Sequence, residues 1–156
     1  MLMPAGTNAA YTHESLSLTV LVNGQDTGAH NVKSNPLTIN LTQALEVDLS
    51  MFNAGDTVHI TDATVSFYTI QRILFWDFES KVYDHQVDLD NEDDDGDGKE
   101  GFDIPASSSE SESFEISPED IAEYRDALSG QRVRIDILFN FEVISDYTVT
   151  VYINFV

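Results

Sequence analysis

Alternate carboxylates within a few residues can converge on a hard cation, and this sequence contains one such span. Asp93, Asp95 and Asp97 precede Gly98 within the run Asp90-Asn91-Glu92-Asp93-Asp94-Asp95-Gly96-Asp97-Gly98-Lys99-Glu100-Gly101-Phe102-Asp103. The pattern is Asp-x-Asp-x-Asp-Gly, in which side chains supply oxygen ligands while glycine permits the sharp return of the chain. The backbone carbonyl of Lys99 can add another oxygen, and Asp103 can close the cage. The cofactor this chemistry implies is calcium, held by Asp93, Asp95, Asp97 and Asp103.

The segment resembles the first half of an EF-hand-type calcium loop over about a dozen residues. It departs from that pattern at the closing position, where Ile104 stands in place of a bidentate glutamate. A second register from Asn91 uses Asp93, Asp95 and Gly96 but ends on Phe102. A run this rich in aspartate also generates such spacings by composition alone. An unliganded, solvated loop is therefore the competing reading.

Other reactive groups are sparse. Cysteine is absent, which removes disulfides, thiolate catalysis and cysteine-ligated metal centres. His13, His30, His59 and His85 form no compact ligand motif with one another. His59, between Val58 and Ile60, is expected on a sheet surface. No Gly-x-Ser-x-Gly elbow and no glycine-rich phosphate loop occurs. The chain is accordingly not expected to be an enzyme. Tyr68, Trp76, Phe78 and Tyr83 could stack on carbohydrate, but core packing accounts for them more simply. Asn40-Leu41-Thr42 satisfies the short glycosylation sequon.

Charge narrows the partners. Among 156 residues, 28 are acidic and 7 are Lys or Arg, so the net charge is −21. Nucleic acid is excluded as an expected partner, because phosphate contacts need concentrated positive charge. Anionic lipid surfaces are disfavoured for the same reason, and no membrane insertion is expected. Residues 77–126 carry 19 of the acidic and 3 of the basic groups, so most of the excess belongs to one region.

The elements that must position these groups read as β-strands. Leu16, Leu18, Val20 and Val22 alternate with polar neighbours, and Asn23-Gly24 then marks a hairpin turn. Residues 37–41, 45–49 and 58–60 alternate similarly. The run from Ala63 to Phe78 is too long for an ordinary strand and calls for a bulge or corner. Val82 to Asp88 suggests a polar edge strand. Ser117-Pro118-Glu119-Asp120 carries a helix-start signature, with Ile121, Tyr124 and Leu128 on one face and Gly130 as the stop. Residues 132–143 and 147–155 alternate cleanly around Ser145-Asp146, which predicts an antiparallel hairpin with Val133, Ile135, Ile137, Phe139, Phe141 and Val143 inward. Ser107 to Ser113 reads as a flexible connection, leading into a short strand at Phe114-Glu115-Ile116.

These elements predict an all-β fold: an antiparallel β-sandwich of the jelly-roll kind, with one short helix and an acidic loop insertion at about 88–113. A closed eight-strand barrel is the alternative. Residues 1–14 are expected to form a flexible or edge-covering arm, and 15–156 a single domain. The plan resembles that of single-jelly-roll capsid proteins at the level of fold alone. The expected function is a non-enzymatic structural or assembly module with a protein partner or homo-oligomer, and a virion or extracellular setting is suspected. The alternative is a calcium-stabilised ligand-binding module that recognises carbohydrate.

Overall fold

Alternation at period two puts every second side chain on one face of a strand, so two such faces can be buried against each other. The computed structural model describes residues 11–88, 101–120, 128 and 132–156 and realises that arrangement. Its strands in chain order are β1 (Tyr11–His13), β2 (Leu16–Val22), β3 (Gln25–Asp26), β4 (Leu37–Ile39), β5 (Leu45–Asn53), β6 (Val58–Ile73), β7 (Trp76–Asp88), β8 (Phe102–Ile104), β9 (Ser108–Ile116), β10 (Arg132–Glu142) and β11 (Tyr147–Phe155). One sheet has the order β1-β2-β5-β9, with β3 beside β2. The other runs β4-β11-β10-β6-β7, with β8 also paired to β6. The fold is a β-sandwich of two open sheets, not a closed barrel. All described pairs are antiparallel except β4 with β11, a departure from the antiparallel pattern of a jelly roll.

The inner faces meet in one core. Leu16, Leu18 and Val20 of β2 and Val47 and Leu49 of β5 pack in the same buried cluster as Val65, Phe67, Ile135, Ile137, Val149 and Val151 of the second sheet. The β10–β11 hairpin forms in the expected register, with Ile137 opposite Val149 and Phe139 opposite Tyr147. Val143 departs from the expected inward row. It lies beyond the end of β10 with φ 81° and is almost fully exposed, because the chain has already turned there. Asn23 and Gly24 both adopt positive φ (49° and 79°), as the two-residue turn between β2 and β3 requires.

A bulge sets the facing of β6. Ile60 pairs with Phe141 and Asp62 with Asn140, which leaves Thr61 as the extra residue. Inward parity therefore shifts from Val58 and Ile60 to Ala63, Val65 and Phe67, all buried. Asp62, brought partly inward at this point, accepts from Asn140 Nδ2 at 2.7 Å and Thr61 Oγ1 at 3.0 Å, and also from Gln86.

Three expectations about the middle of the chain are corrected. The serine- and glutamate-rich stretch is no connection: it is β9, laddered to β5 from Leu45↔Ile116 to Asn53↔Ser108. Low hydrophobicity is tolerated because β9 is an edge strand, pinned by buried Ile116 and half-buried Phe114, while its other residues line the rim. Residues 102–104 likewise belong to the sandwich as β8, which narrows the insertion read at about 88–113. His59 is buried rather than on a sheet surface, because β8 pairs beside it.

At the chain's beginning, Tyr11–His13 pair with β2 and cover its edge. Thr27 Oγ1 donates to Val20 O, so the Tyr11 hydroxyl donates to Thr27 across 2.8 Å, and burial raises its phenol pKa. Ser117 and Asp120 exchange the reciprocal hydrogen bonds of a capping box, each 3.2 Å. The helix expected to follow lies outside the described residues except at Leu128, which is helical and buried.

Candidate functional site

Of the four candidate calcium ligands, Asp93, Asp95 and Asp97 lie outside the described residues. Asp103 sits on β8, opposite His59 of β6. Its Oδ1 lies 2.8 Å from His59 Nδ1, with the histidine side chain 10% and the carboxylate 51% exposed. One carboxylate oxygen is thus engaged in a strand-to-strand contact. Among the described residues, no group of three or more His, Asp or Glu converges on a common point. His85 is exposed and stacks on Tyr83 at 6.0 Å, while Asp84 accepts from Ser66 Oγ at 2.8 Å.

The aromatic quartet is divided by the structure. Tyr83 packs on the core ring of Phe67 at 5.1 Å. Tyr68 lies beneath the Arg134 guanidinium, 4.2 Å from its ring centre. Trp76 and Phe78, expected in the core, are instead exposed. The cause is a turn that carries no glycine or asparagine signal. Residues 63–78 do not form one run: β6 ends at Ile73, Leu74-Phe75 make a two-residue turn, and β7 returns from Trp76.

That turn creates the feature that most distinguishes the surface. The last described pairing of β10 with β6 is Val133↔Thr69, so among the described residues the hairpin from Ile70 onward continues without a β10 partner. Four further residues along β6 correspond to about 13 Å of strand. Leu74 is 81%, Phe75 86% and Trp76 69% exposed, and Ile73 and Phe78 are about half exposed. Cross-strand pairs Ile73↔Trp76 and Gln71↔Phe78 place Ile73, Trp76 and Phe78 on one face, with Leu74 and Phe75 at the tip. Pairs Arg72↔Asp77 and Ile70↔Glu79 occupy the other face. The projecting hairpin is amphipathic.

Its polar face gathers cations. Lys33 Nζ donates to Asp77 Oδ2 at 2.8 Å, Arg134 pairs with Glu79, and Lys81 lies 3.7 Å from Asp84. Arg72 and Arg132 also act on Asp77. A cleft of about 670 Å³ opens here, lined by Lys33, Arg72, Arg132, Asp77 and Ile70 among others. The Lys33 hydrogen bond holds the Asp77 carboxyl below its ordinary value, and the same bond raises the Lys33 ammonium. All five lysines and arginines among the described residues belong to this hairpin, pair with it or line the cleft at its base.

The backbone at the tip adds an independent indication. Leu74 has φ 59°, a region where L-residues with large side chains are uncommon and glycine is the usual occupant. A bulky apolar residue there assists neither the turn nor the core. Sequence reading missed this site because its alternation matches a buried strand, and only the register shows that the core has ended before residue 70.

No family model and no curated protein matches the sequence. The structure is similar to that of Spo0M, a sporulation control protein from Bacillus subtilis, with a TM-score of 0.53 at 7% identity over 92% of this chain. This chain spans 50% of the Spo0M chain. It also aligns with red sea bream transglutaminase, at a TM-score of 0.43 and 10% identity, covering 97% of this chain and 19% of that one. A CARDB domain from Pyrococcus furiosus aligns at a TM-score of 0.39 and 13% identity, covering 94% of this chain and 93% of that one. The first likeness concerns fold alone. Among the described residues, no helix is long and apolar enough to cross a membrane.

Proposed function

We propose that this chain is a non-enzymatic structural or assembly module that attaches through the β6–β7 hairpin. The observation that carries the reading is the exposed apolar tip, Ile73 to Trp76 with Phe78. Contiguous apolar side chains on a projecting element are costly in water unless something covers them. The remainder of the sandwich acts as the rigid support that holds the tip away from its own core. The rim carboxylates Glu110 and Glu112 on β9 suit this division of labour, since inward-pointing charge at a sheet edge opposes strand addition there. A place in a virion or an extracellular assembly belongs to the same proposal.

Sedimentation velocity across protein concentration and ionic strength, with and without candidate surfaces, tests this reading. Attachment to itself or to a surface should be lost in the Leu74→Ser/Phe75→Ser variant while the melting curve is unchanged. Attachment that persists in full after that double substitution would contradict it, as would a wild-type chain that attaches to nothing.

A further inference from the structure

The hairpin tip has a shape, a composition and a charge setting that together select among possible partners. It is convex and narrow, two strands wide, and it projects about 13 Å beyond the last described β10 partner. A protein partner would need a matching apolar groove, whereas a lipid interface deforms around a small wedge. Leu, Phe and Trp are side chains that interfacial elements bury 5–10 Å deep, with cations of the opposite face left at headgroup level. Here Leu74 and Phe75 form the leading edge, Ile73, Trp76 and Phe78 follow, and Lys33, Arg72 and Arg132 stand behind them around Asp77.

Resting on the reading of the hairpin as an attachment point, we propose that its occupant is the surface of a lipid bilayer: the tip wedges into the interface while Lys33, Arg72 and Arg132 face phosphate headgroups. This departs from the expectation drawn from the net charge of −21. Net charge governs attraction only over distances that salt leaves unscreened, and the Debye length is about 8 Å at physiological ionic strength. The apolar tip projects further than that from the sheet, with Arg72 on the projecting part and Lys33 and Arg132 at its base. The field an approaching headgroup meets is set locally by Lys33, Arg72, Arg132 and Arg134 against Asp77, Glu79 and Asp136, so the side chains gathered here do not carry the acidic excess of the whole molecule. A second copy of this chain, approaching tip to tip, would bring those same cations against each other.

Trp76 is the only tryptophan in the chain, which makes the tip report on itself. The full chain is mixed with vesicles of phosphatidylcholine, or of phosphatidylcholine with phosphatidylglycerol, and both tryptophan emission and co-sedimentation are followed. The expected result is a blue shift with protection from iodide, stronger with phosphatidylglycerol. Leu74→Ser/Phe75→Ser should weaken partitioning about tenfold per side chain. Lys33→Gln and Arg132→Gln should each weaken binding to the anionic vesicles about fivefold, and by more than they weaken binding to phosphatidylcholine.

No shift with either vesicle from a chain that melts normally would overturn the lipid assignment. A shift that instead grows with protein concentration in the absence of lipid, together with sedimentation as an oligomer, would overturn it too while leaving the attachment reading standing. Neither lipid binding nor self-association would remove both.

Discussion

At the scale of single residues, the side chains that secure the fold differ from those that singled themselves out by chemistry. Asn53 is fully buried, and its amide joins four points: Oδ1 accepts from Ser15 Oγ at 2.7 Å and Gly55 N at 3.0 Å, while Nδ2 donates to Asp56 O at 2.8 Å and Ile104 O at 2.9 Å. Asn53→Asp would turn two donors into acceptors aimed at carbonyls. A loss of about 3 kcal/mol in urea unfolding is expected, with each buried partner left unsatisfied costing about 1–3 kcal/mol. The Lys33–Asp77 pair predicts a pH signature. Because Asp77 is held low by the Lys33 hydrogen bond, the pair persists above the ordinary carboxylate range and is lost as pH falls through the lowered Asp77 value. Lys33→Met should return the Asp77 titration upward, as read by carboxyl NMR. For the aspartate loop, calorimetry should find calcium affinity no tighter than about 10⁻⁴–10⁻³ M, given the missing closing glutamate. Asp103→Asn should weaken that binding if Asp103 closes the cage, and an unchanged isotherm would remove it from the site.

At the scale of elements, alternation alone located β2, β5, β10 and β11, because both inner faces of a sandwich demand strict period two. Ile135 and Val149 are each 1% exposed, so Ile135→Asp or Val149→Asp should destabilise the fold by at least a few kcal/mol. Elements whose stability comes from position rather than composition were not legible. β9 holds nine residues of Ser, Glu, Phe and Ile because β5 offers a full ladder, a fact that no local window contains. The β6–β7 turn was hidden because Leu74-Phe75 has none of the residues that mark tight turns. Replacing Leu74 with Gly relieves a left-handed residue, a conformation that costs L-residues roughly 1–2 kcal/mol. Melting of Leu74→Gly should therefore be unchanged or higher, even as attachment falls. Gly101 shows the opposite case: at φ 85°, a Cβ there would lie 1.8 Å from Ile60 O, so Gly101→Ala should detach β8 from β6 and lower the melting point.

At the scale of the whole molecule, charge and hydrophobicity are segregated rather than blended. A chain of net charge −21 keeps its described cations on and beside one hairpin, and that hairpin carries its largest exposed apolar side chains. The candidate site was half visible in the sequence. Trp76 and Phe78 stand out in the sequence as aromatics that could stack on a ligand, but alternation assigns them to the core, and only the register of β6 against β10 places them past the sheet. Attachment through this tip requires that it stand free of the chain's own core. Iodide quenching and emission of Trp76 in the dilute 156-residue chain measure this. Red-shifted, solvent-like emission is expected, with quenching close to that of a free indole and unchanged on further dilution. Blue emission shielded from iodide at every dilution would show the tip packed against its own sandwich and would rule out attachment through it.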